Sequence, residues 1–586
     1  MPEAVHYRVS MLRPHSHLFE VEATFPAGPD TLDALLPVWT PGSYLVREFA
    51  RQVQEVSAWA GGEPLPPRRV DKRTWRVQAQ GRPVTLRYRV YANELTVRTS
   101  HLDGSHGYFN GATLFLYTEA TRGLEHHVTV EAPSGWKPFA ALERRGEAFV
   151  AKDYDELVDS PFEVGPHTPL SFTVAGVPHE VVVWGDTVPD AGRLCADLQR
   201  ICEAQARMFG GLPMSRYLFL VYLTDKGRGG LEHKASTSLL FPRVGLHNSR
   251  GWEDFLTLAS HEYFHLWNIK RVKPRALVPF DYAQENYTSL LWAFEGGTSY
   301  YDNLFVLRAG LMGASRYLTR LGETLSALHA TPGRKVQTLA EASLVSWVKH
   351  YRPDEHSPNS AISYYLKGEV VAALLDLELR RATDNARGLD DLMRLLWQRY
   401  GDESGVPEDG VEAAASEVAG KDLSAFFDRA VRSTEELDYS VFSHVGLEVH
   451  FRPRDSLGDK GGSPLRTKGD VKPKGWLGVT TKGSATLATV VDGSPAQEAG
   501  LYVDDELVAL DGWRVDGAGL LSRCEDKSPG DTVRLTVFRR DRLLEVPVTL
   551  GQKPADAAWL ARVDKPTDAQ KAAYQAWLGA PWEEPG

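Results

Sequence analysis

The run Ser260-His261-Glu262-Tyr263-Phe264-His265 lies inside an apolar stretch, Phe255 to Trp267, and few folds can accommodate it. On an α-helix, residues four apart share a face, so both imidazoles can reach one tetrahedral ion while Glu262 points at its open position. Phe255, Leu256, Leu258, Ala259, Tyr263, Phe264, Leu266 and Trp267 make the helix apolar around most of its circumference, which predicts burial. Buried imidazoles and a buried carboxylate need partners, and a metal ion is the simplest one. The plainer alternative is a histidine pair on the face of an ordinary surface helix, since HExxH alone is a short pattern.

The metal this spacing suits is Zn²⁺. Zinc lowers the pKa of a bound water toward neutrality, with Glu262 as the base that takes the proton and a polarised carbonyl as the target. A third ligand is expected from a second helix. In Leu291-Trp292-Ala293-Phe294-Glu295-Gly296-Gly297, Glu295 is the acid embedded in apolar residues, whereas Glu285 sits among polar ones. Asp302, seven residues on, falls on the same helical face and is suited to hydrogen-bond the second ring nitrogen of a ligand histidine. The plainer readings are an acid favoured by a helix N-terminus for Glu295 and a solvated charge for Asp302.

The combination HEYFHLWNIKRVKP and WAFEGGTSYYD, with Gly229-Gly230-Leu231-Glu232-His233 upstream and Ser363-Tyr364-Tyr365-Leu366-Lys367-Gly368 downstream, resembles the glycyl aminopeptidase family. Trp39-Thr40-Pro41-Gly42-Ser43-Tyr44 and a PDZ-like segment near the C-terminus fall in the expected order. The resemblance implies a gluzincin centre with His261, His265 and Glu295 on zinc. It further implies that Glu232, with Gly229, Gly230 and His233, binds the free amino terminus of a peptide, and that Tyr365 steadies the oxyanion. A carboxylate facing the substrate ammonium fixes where the chain must begin, and a hydroxyl donor in a dry site stabilises a transition state by roughly 3 kcal/mol. Against these stand a loop in which the two glycines merely permit a turn, Tyr364 in place of Tyr365, and tyrosines that only pack in a core. His233 departs from the asparagine of the wider aminopeptidase N relatives and also reads as a packed loop residue. His126, His127, His350 and His356 lack the spacing that marks the first pair and read as loop, strand or surface residues.

At 586 residues the chain exceeds a single core. Residues 1–175 carry alternating segments; in Val84 to Tyr91 the residues Val84, Leu86, Tyr88 and Val90 share one face, which predicts antiparallel strands in a sandwich-like β domain. Residues 176–450 read as a thermolysin-like catalytic domain with a helical half from about 310. A Pro/Gly/charge-rich linker over 451–474, a PDZ-like domain over 475–554 and a tail over 555–586, helical around Asp568 to Leu578, complete a multi-domain α+β chain. The PDZ-like segment implies a peptide C-terminus as a second partner, bound as an added strand.

The formal net charge of -11 argues against nucleic acid and anionic membrane as partners. No run of about 18 apolar residues occurs, and the N-terminus shows no secretory pattern. Cys195 and Cys202, seven apart in a helical pattern, lie about 10 Å apart along the axis, beyond disulfide reach; with Cys524 they favour a cytoplasmic location. The expectation is a zinc aminopeptidase for peptides with a free N-terminus, with small first residues such as Gly or Ala implied by the resemblance. The rivals are a zinc metalloendopeptidase and a peptide-binding PDZ scaffold with a silent peptidase half.

Overall fold

The computed structural model describes residues 4–456, 458–464 and 473–582. Most of the second half of the stretch read as a linker, 465–472, and the end of the tail, 583–586, lie outside the described residues. The chain divides into two compact units: residues 1–287 with 301–311 and 396–407, and residues 288–300 with 312–395 and 408–586.

The first unit begins with an eight-stranded sheet. Its strands run in the spatial order Glu143–Arg145, Ala148–Ala151, Glu125–Glu131, Ala4–Ser10, Leu18–Phe25, Val84–Tyr91, Val53–Ala60 and Glu63–Leu65. The alternation read in Val84–Tyr91 is real: Val84, Leu86, Tyr88 and Val90 are buried while Arg87 and Tyr91 are exposed. Smaller sheets of four and three strands accompany it, over a core that includes Phe19, Val21, Trp75, Phe109, Phe149 and Phe162. One pairing departs from the antiparallel expectation, since Ala4–Ser10 and Glu125–Glu131 run parallel. Strands so far apart in sequence are joined by a long crossover rather than a hairpin, which permits either direction.

A five-stranded mixed sheet follows, in the order Leu170–Val174, Val177–Trp184, Tyr217–Thr224, Ser236–Pro242 and Gly229–Glu232. Its central strand Tyr217–Thr224 is buried at every position and parallel to both neighbours, as the continuous apolar run requires. The strand Gly229–Glu232 turns back antiparallel at the edge and ends on one of the candidate site residues. Ala191–Phe209 forms a 19-residue helix capped by Asp190 and ended by Gly210 in the left-handed region.

In the second unit the helices Ala314–His329 and Tyr364–Ala382 are joined by the antiparallel pair Leu447–Arg452 and Ala557–Arg562. The Ser326 hydroxyl accepts a hydrogen bond from the Ala558 amide at 2.7 Å, tying that pair to the first helix. A β-domain then places the strands Val479–Lys482, Thr486–Val490, Glu506–Leu510, Thr532–Arg539 and Arg542–Thr549 in sequence order, around Leu477, Leu487, Leu507, Leu535, Val537 and Val548. It touches the segment ahead of Tyr364–Ala382 through Asn359, whose amide donates to the Val490 carbonyl at 2.8 Å and accepts from the Asp492 amide at 3.1 Å.

The helix Asp568–Leu578 opens on a capping box between Thr567 and Gln570 and buries Trp577 completely. The Trp577 indole donates to the Tyr300 hydroxyl at 2.8 Å, which itself donates to Asp376 at 2.5 Å, and Arg380 bonds both Asp376 and the Ala576 carbonyl. Trp577→Ala is therefore expected to cost about 3–5 kcal/mol of unfolding free energy, read by chemical denaturation. Trp577→Phe, which keeps most of the packing but not the donor, should cost clearly less.

Candidate metal centre

The HExxH run closes the helix Ser249–Phe264, which starts at Asn248, whose side chain accepts the Gly251 amide at 2.8 Å. The helix is seated by polar contacts on its buried faces. Trp252 donates to Asp197 at 2.8 Å, Gln205 donates to the Ser260 carbonyl and hydroxyl, and the Tyr263 hydroxyl lies 2.9 Å from His179 Nε2. His265 is the residue just past the last turn and keeps helical angles, φ -61° and ψ -14°, so the i, i+4 relation to His261 survives the helix end.

Both histidines have their Nδ1 atoms engaged. His261 Nδ1 lies 3.2 Å from Asp302 Oδ2, and His265 Nδ1 lies 2.7 Å from the Asn268 carbonyl. These bonds orient the rings and would leave the Nε2 atoms to hold a metal, as outer partners of metal-bound histidines do. The Asn268 carbonyl is delivered by a strained connection. Ile269, a β-branched residue, adopts φ +99°, held by hydrogen bonds from its amide to the Val272 carbonyl and from the Lys270 amide to the His265 carbonyl. Asp302 belongs to the helix Gly297–Arg308. Burial raises its carboxyl above the ordinary value against the pull of His261.

Glu295 sits in a π-helical turn, Trp292–Gly296, closed by the Gly297 amide on the Trp292 carbonyl. Such insertions often occur at functional sites. This turn crosses the helix Tyr364–Ala382 glycine on glycine. A Cβ on Gly296 would lie 2.5 Å from Gly368 Cα, and one on Gly368 would lie 2.9 Å from the Trp292 carbonyl. That contact is the physical reason for the glycine at 296, after Glu295, and for the glycine at 368, after Lys367. Tyr364 and Tyr365 open the same helix, and Tyr351 places its hydroxyl 3.0 Å from each of theirs. Tyr364 is fully buried and Tyr365 is partly exposed.

One ligand atom each from His261, His265 and Glu295 lie within 4.8 Å of one another. The same holds for Glu232, Glu262 and His265. Two imidazoles and a carboxylate with oriented rings are a donor set that fits Zn²⁺. Glu232 ends the edge strand Gly229–Glu232 at 4 % exposure, and its Oε1 has no hydrogen-bond partner in the protein. The glycines before it do not serve a turn, because both are paired within the edge strand, Gly229 opposite Leu240 and Gly230 opposite Leu239. A Cβ on Gly230 would instead fall on the Glu262 carboxylate, so this position is bare because the acid passes directly over the strand. Arg98 bonds the Gly230 carbonyl at 3.2 Å and would touch a Cβ at Gly229.

His233 is buried beside Asp159, its Nδ1 3.4 Å from Oδ1. Asp159 also accepts the Lys270 ammonium at 2.5 Å and the Lys234 amide at 2.7 Å. Burial works to raise its carboxyl, but Lys270 and His233 hold it far below the usual carboxylate range. Beyond it, Lys234 and Lys273 close on Glu403 at 2.7 and 2.9 Å. Spacing in the sequence gave no sign of Asp159, Glu403 or Tyr351. His350, read above as a plain loop, strand or surface residue, packs its ring 5.1 Å from Tyr364 and 5.7 Å from Tyr365.

This β-rich region, mixed sheet-and-helix region and paired-histidine ligand set are the architecture and chemistry of a zinc metallopeptidase. Residues 6–166 match the Peptidase M61 N-terminal domain, 254–371 the M61 glycyl aminopeptidase domain, and 470–550 a PDZ domain. The crystal structure of an aminopeptidase N family protein from Idiomarina loihiensis is 33% identical, covers 98% of this chain and 100% of its own, and superposes with a TM-score of 0.92. The chain belongs to the M61 glycyl aminopeptidase family. Among curated proteins, a probable periplasmic serine endoprotease DegP-like from Chlamydia muridarum is 40% identical over 73 residues, 12% of this chain and 15% of that one. Another, from Hahella chejuensis, is 33% identical over 115 residues, 17% of this chain and 24% of that one. The chain thus spans a quarter or less of the curated relatives it matches. No helix among the described residues is long and apolar enough to cross a membrane.

Two outcomes are expected. Gly296→Ala sets side chain against backbone rather than against a flexible tip, so it should lower stability by about 1–3 kcal/mol, read by denaturant titration. Burial acts to raise the Glu403 carboxyl, yet Lys273 and Lys234 bring it down to about 2. Its folded value lies below its unfolded one, so its stabilising contribution is complete above about pH 4.5 and disappears as pH falls toward about 2. Melting temperatures of Glu403→Gln should accordingly fall less steeply than those of the parent protein across that window.

Proposed function

We propose that this protein is a zinc aminopeptidase that removes the first residue of peptides with a free N-terminus, favouring small residues such as glycine or alanine. The observation that carries the reading is the ligand set of His261, His265 and Glu295, within 4.8 Å of one another, with both histidine Nδ1 atoms engaged. Zinc held there supplies Lewis acidity, which activates a water and polarises the scissile carbonyl.

The chain's own residues do the rest. Glu262 accepts the proton of the attacking water and returns it to the leaving amine. Glu232, buried with an oxygen that lacks a protein partner, receives the substrate's α-ammonium, which sets the register of cleavage at the first bond. Tyr365, the more exposed of the neighbouring tyrosines, donates its hydroxyl to the oxyanion, with Tyr351 holding its orientation. Asp302 fixes the His261 ring. Gly230 lets the Glu262 carboxylate lie over the edge strand and Gly229 leaves room for Arg98, so this strand can wall the substrate site, and His233 shapes that wall from its place against Asp159.

The PDZ domain binds peptide C-termini through the loop Gly475-Trp476-Leu477-Gly478-Val479, whose Gly478 adopts φ +83°. We assign the protein to the cytoplasm, with its three cysteines as free thiols.

The test is hydrolysis of amino-acid anilides by the zinc-loaded enzyme, with and without a chelator, beside the same compounds acetylated at the amine. Chelator-sensitive release from free-amine glycine and alanine anilides is expected, with Glu262→Gln at least about a hundredfold slower. Comparable release from acetylated compounds would make the enzyme an endopeptidase and remove the role of Glu232. No release at all would leave the PDZ domain as the working part.

A further inference from the structure

Gly42 lies 190 positions before Glu232 in the chain, yet it meets the carboxylate directly. A Cβ built on Gly42 would stand 2.5 Å from Glu232 Oε1, 2.7 Å from Oε2 and 2.8 Å from Cδ. The turn that carries it is tightly specified. The Ser43 amide donates to the Thr40 carbonyl at 3.0 Å, Pro41 and Gly42 take the two central positions, and Gly42 adopts φ +88°. Proline followed by a residue at positive φ describes a type II turn, which places glycine third.

The turn is anchored on both sides. Thr40 donates to the buried Asn110 at 3.1 Å, Arg47 bonds the Ser43 hydroxyl at 3.0 Å, and just upstream the Trp39 indole donates to the Asp281 carbonyl at 2.8 Å. Thr40, Pro41 and Ser43 are buried, and only Gly42 is partly open. The side on which a Cβ would stand faces the Glu232 carboxylate, whose Oε1 has no hydrogen-bond partner in the protein.

We infer that the Thr40–Ser43 turn is a wall of the amine-binding pocket, and that Gly42 is the positioning residue that holds the Glu232 carboxylate where a substrate ammonium meets it. The inference rests on Glu232 being the amine-binding acid. The bare Cα at position 42 lets the carboxylate lie against the turn. Any side chain there occupies the carboxylate's place, and because the displaced group is the end of a flexible chain, it moves while the fold persists. Gly42 therefore touches no reacting atom and acts through Glu232.

The test compares Gly42→Ala with Gly62→Ala in the zinc-loaded full-length enzyme. Gly62 adopts nearly the same φ, +89°, and has nothing within 4 Å of its Cβ position, so it reports the backbone strain alone. The expected result is a rise in KM of about tenfold or more for alanine anilide in Gly42→Ala, with kcat within about threefold. Gly62→Ala should match the parent, and both variants should melt within a few degrees of each other. Parental kinetics in Gly42→Ala, alongside a raised KM in Glu232→Gln, would overturn the role of Gly42 and leave that of Glu232 standing. A parental KM in Glu232→Gln would overturn the amine-binding reading, and this inference with it. A crystal structure of Gly42→Ala with the Glu232 carboxylate unmoved would overturn the positioning role whatever the kinetics. Failure of Gly42→Ala to fold while Gly62→Ala folds would do the same, since the displaced group would then be backbone.

Discussion

Crowded negative charge is the constraint around which the centre is built. Glu232 and Glu262 bring oxygens within 4.8 Å of each other and of His265, at 4 and 5 % exposure. Two unit charges that close repel by about 3.5 kcal/mol at an effective dielectric of about 20. A fold can meet such repulsion by protonating one acid or by placing a cation between them. The paired histidines, oriented through their Nδ1 atoms, and Glu295 supply a seat for a divalent cation. In the function proposed above, the ammonium of the substrate supplies a second positive charge on the Glu232 side. In that function, the acids receive guests that arrive positively charged.

Several of the close approaches that make this arrangement possible are carried by residues with no side chain. Gly230 gives way to the Glu262 carboxylate, Gly42 to that of Glu232, and Gly296 and Gly368 to each other's backbones. At all four another group occupies the volume a Cβ would fill, and Gly42 alone among them also has a positive φ. Packing at such points fixes distances more firmly than a hydrogen bond between long side chains, because the backbone has few ways to yield.

The placement of the HExxH helix, the acid at 295 and the acid two turns beyond it was legible because helical periodicity is a local property that apolar neighbours make visible. The strand Val84–Tyr91 was legible for the same reason at period two. What sequence spacing could not show was contact across long loops. The parallel pairing of Ala4–Ser10 with Glu125–Glu131, the meeting of His233 with Asp159, the Tyr351 hydroxyl between Tyr364 and Tyr365, and the Gly42 turn over Glu232 all join residues whose separation in the chain carries no pattern. In the sequence, Gly229 and Gly230 leave a turn open as the plainer alternative. Two adjacent glycines suggest a turn, yet they lie in a strand, and what selects the second is a neighbour 32 positions later.

The Trp577 indole reaches the Tyr300 hydroxyl across 277 residues of chain. Tyr300 belongs to the continuous helical run that begins with the Glu295 turn, and it shares Asp376 with Arg380. A ribosome adding about 5–20 residues each second needs roughly 15–55 seconds to pass from one to the other. Throughout that interval the buried hydroxyl lacks its indole donor and Arg380 lacks the Ala576 carbonyl. The packing behind the Glu295 segment is therefore finished by a helix that emerges long after it, so the order of synthesis itself delays completion of that packing.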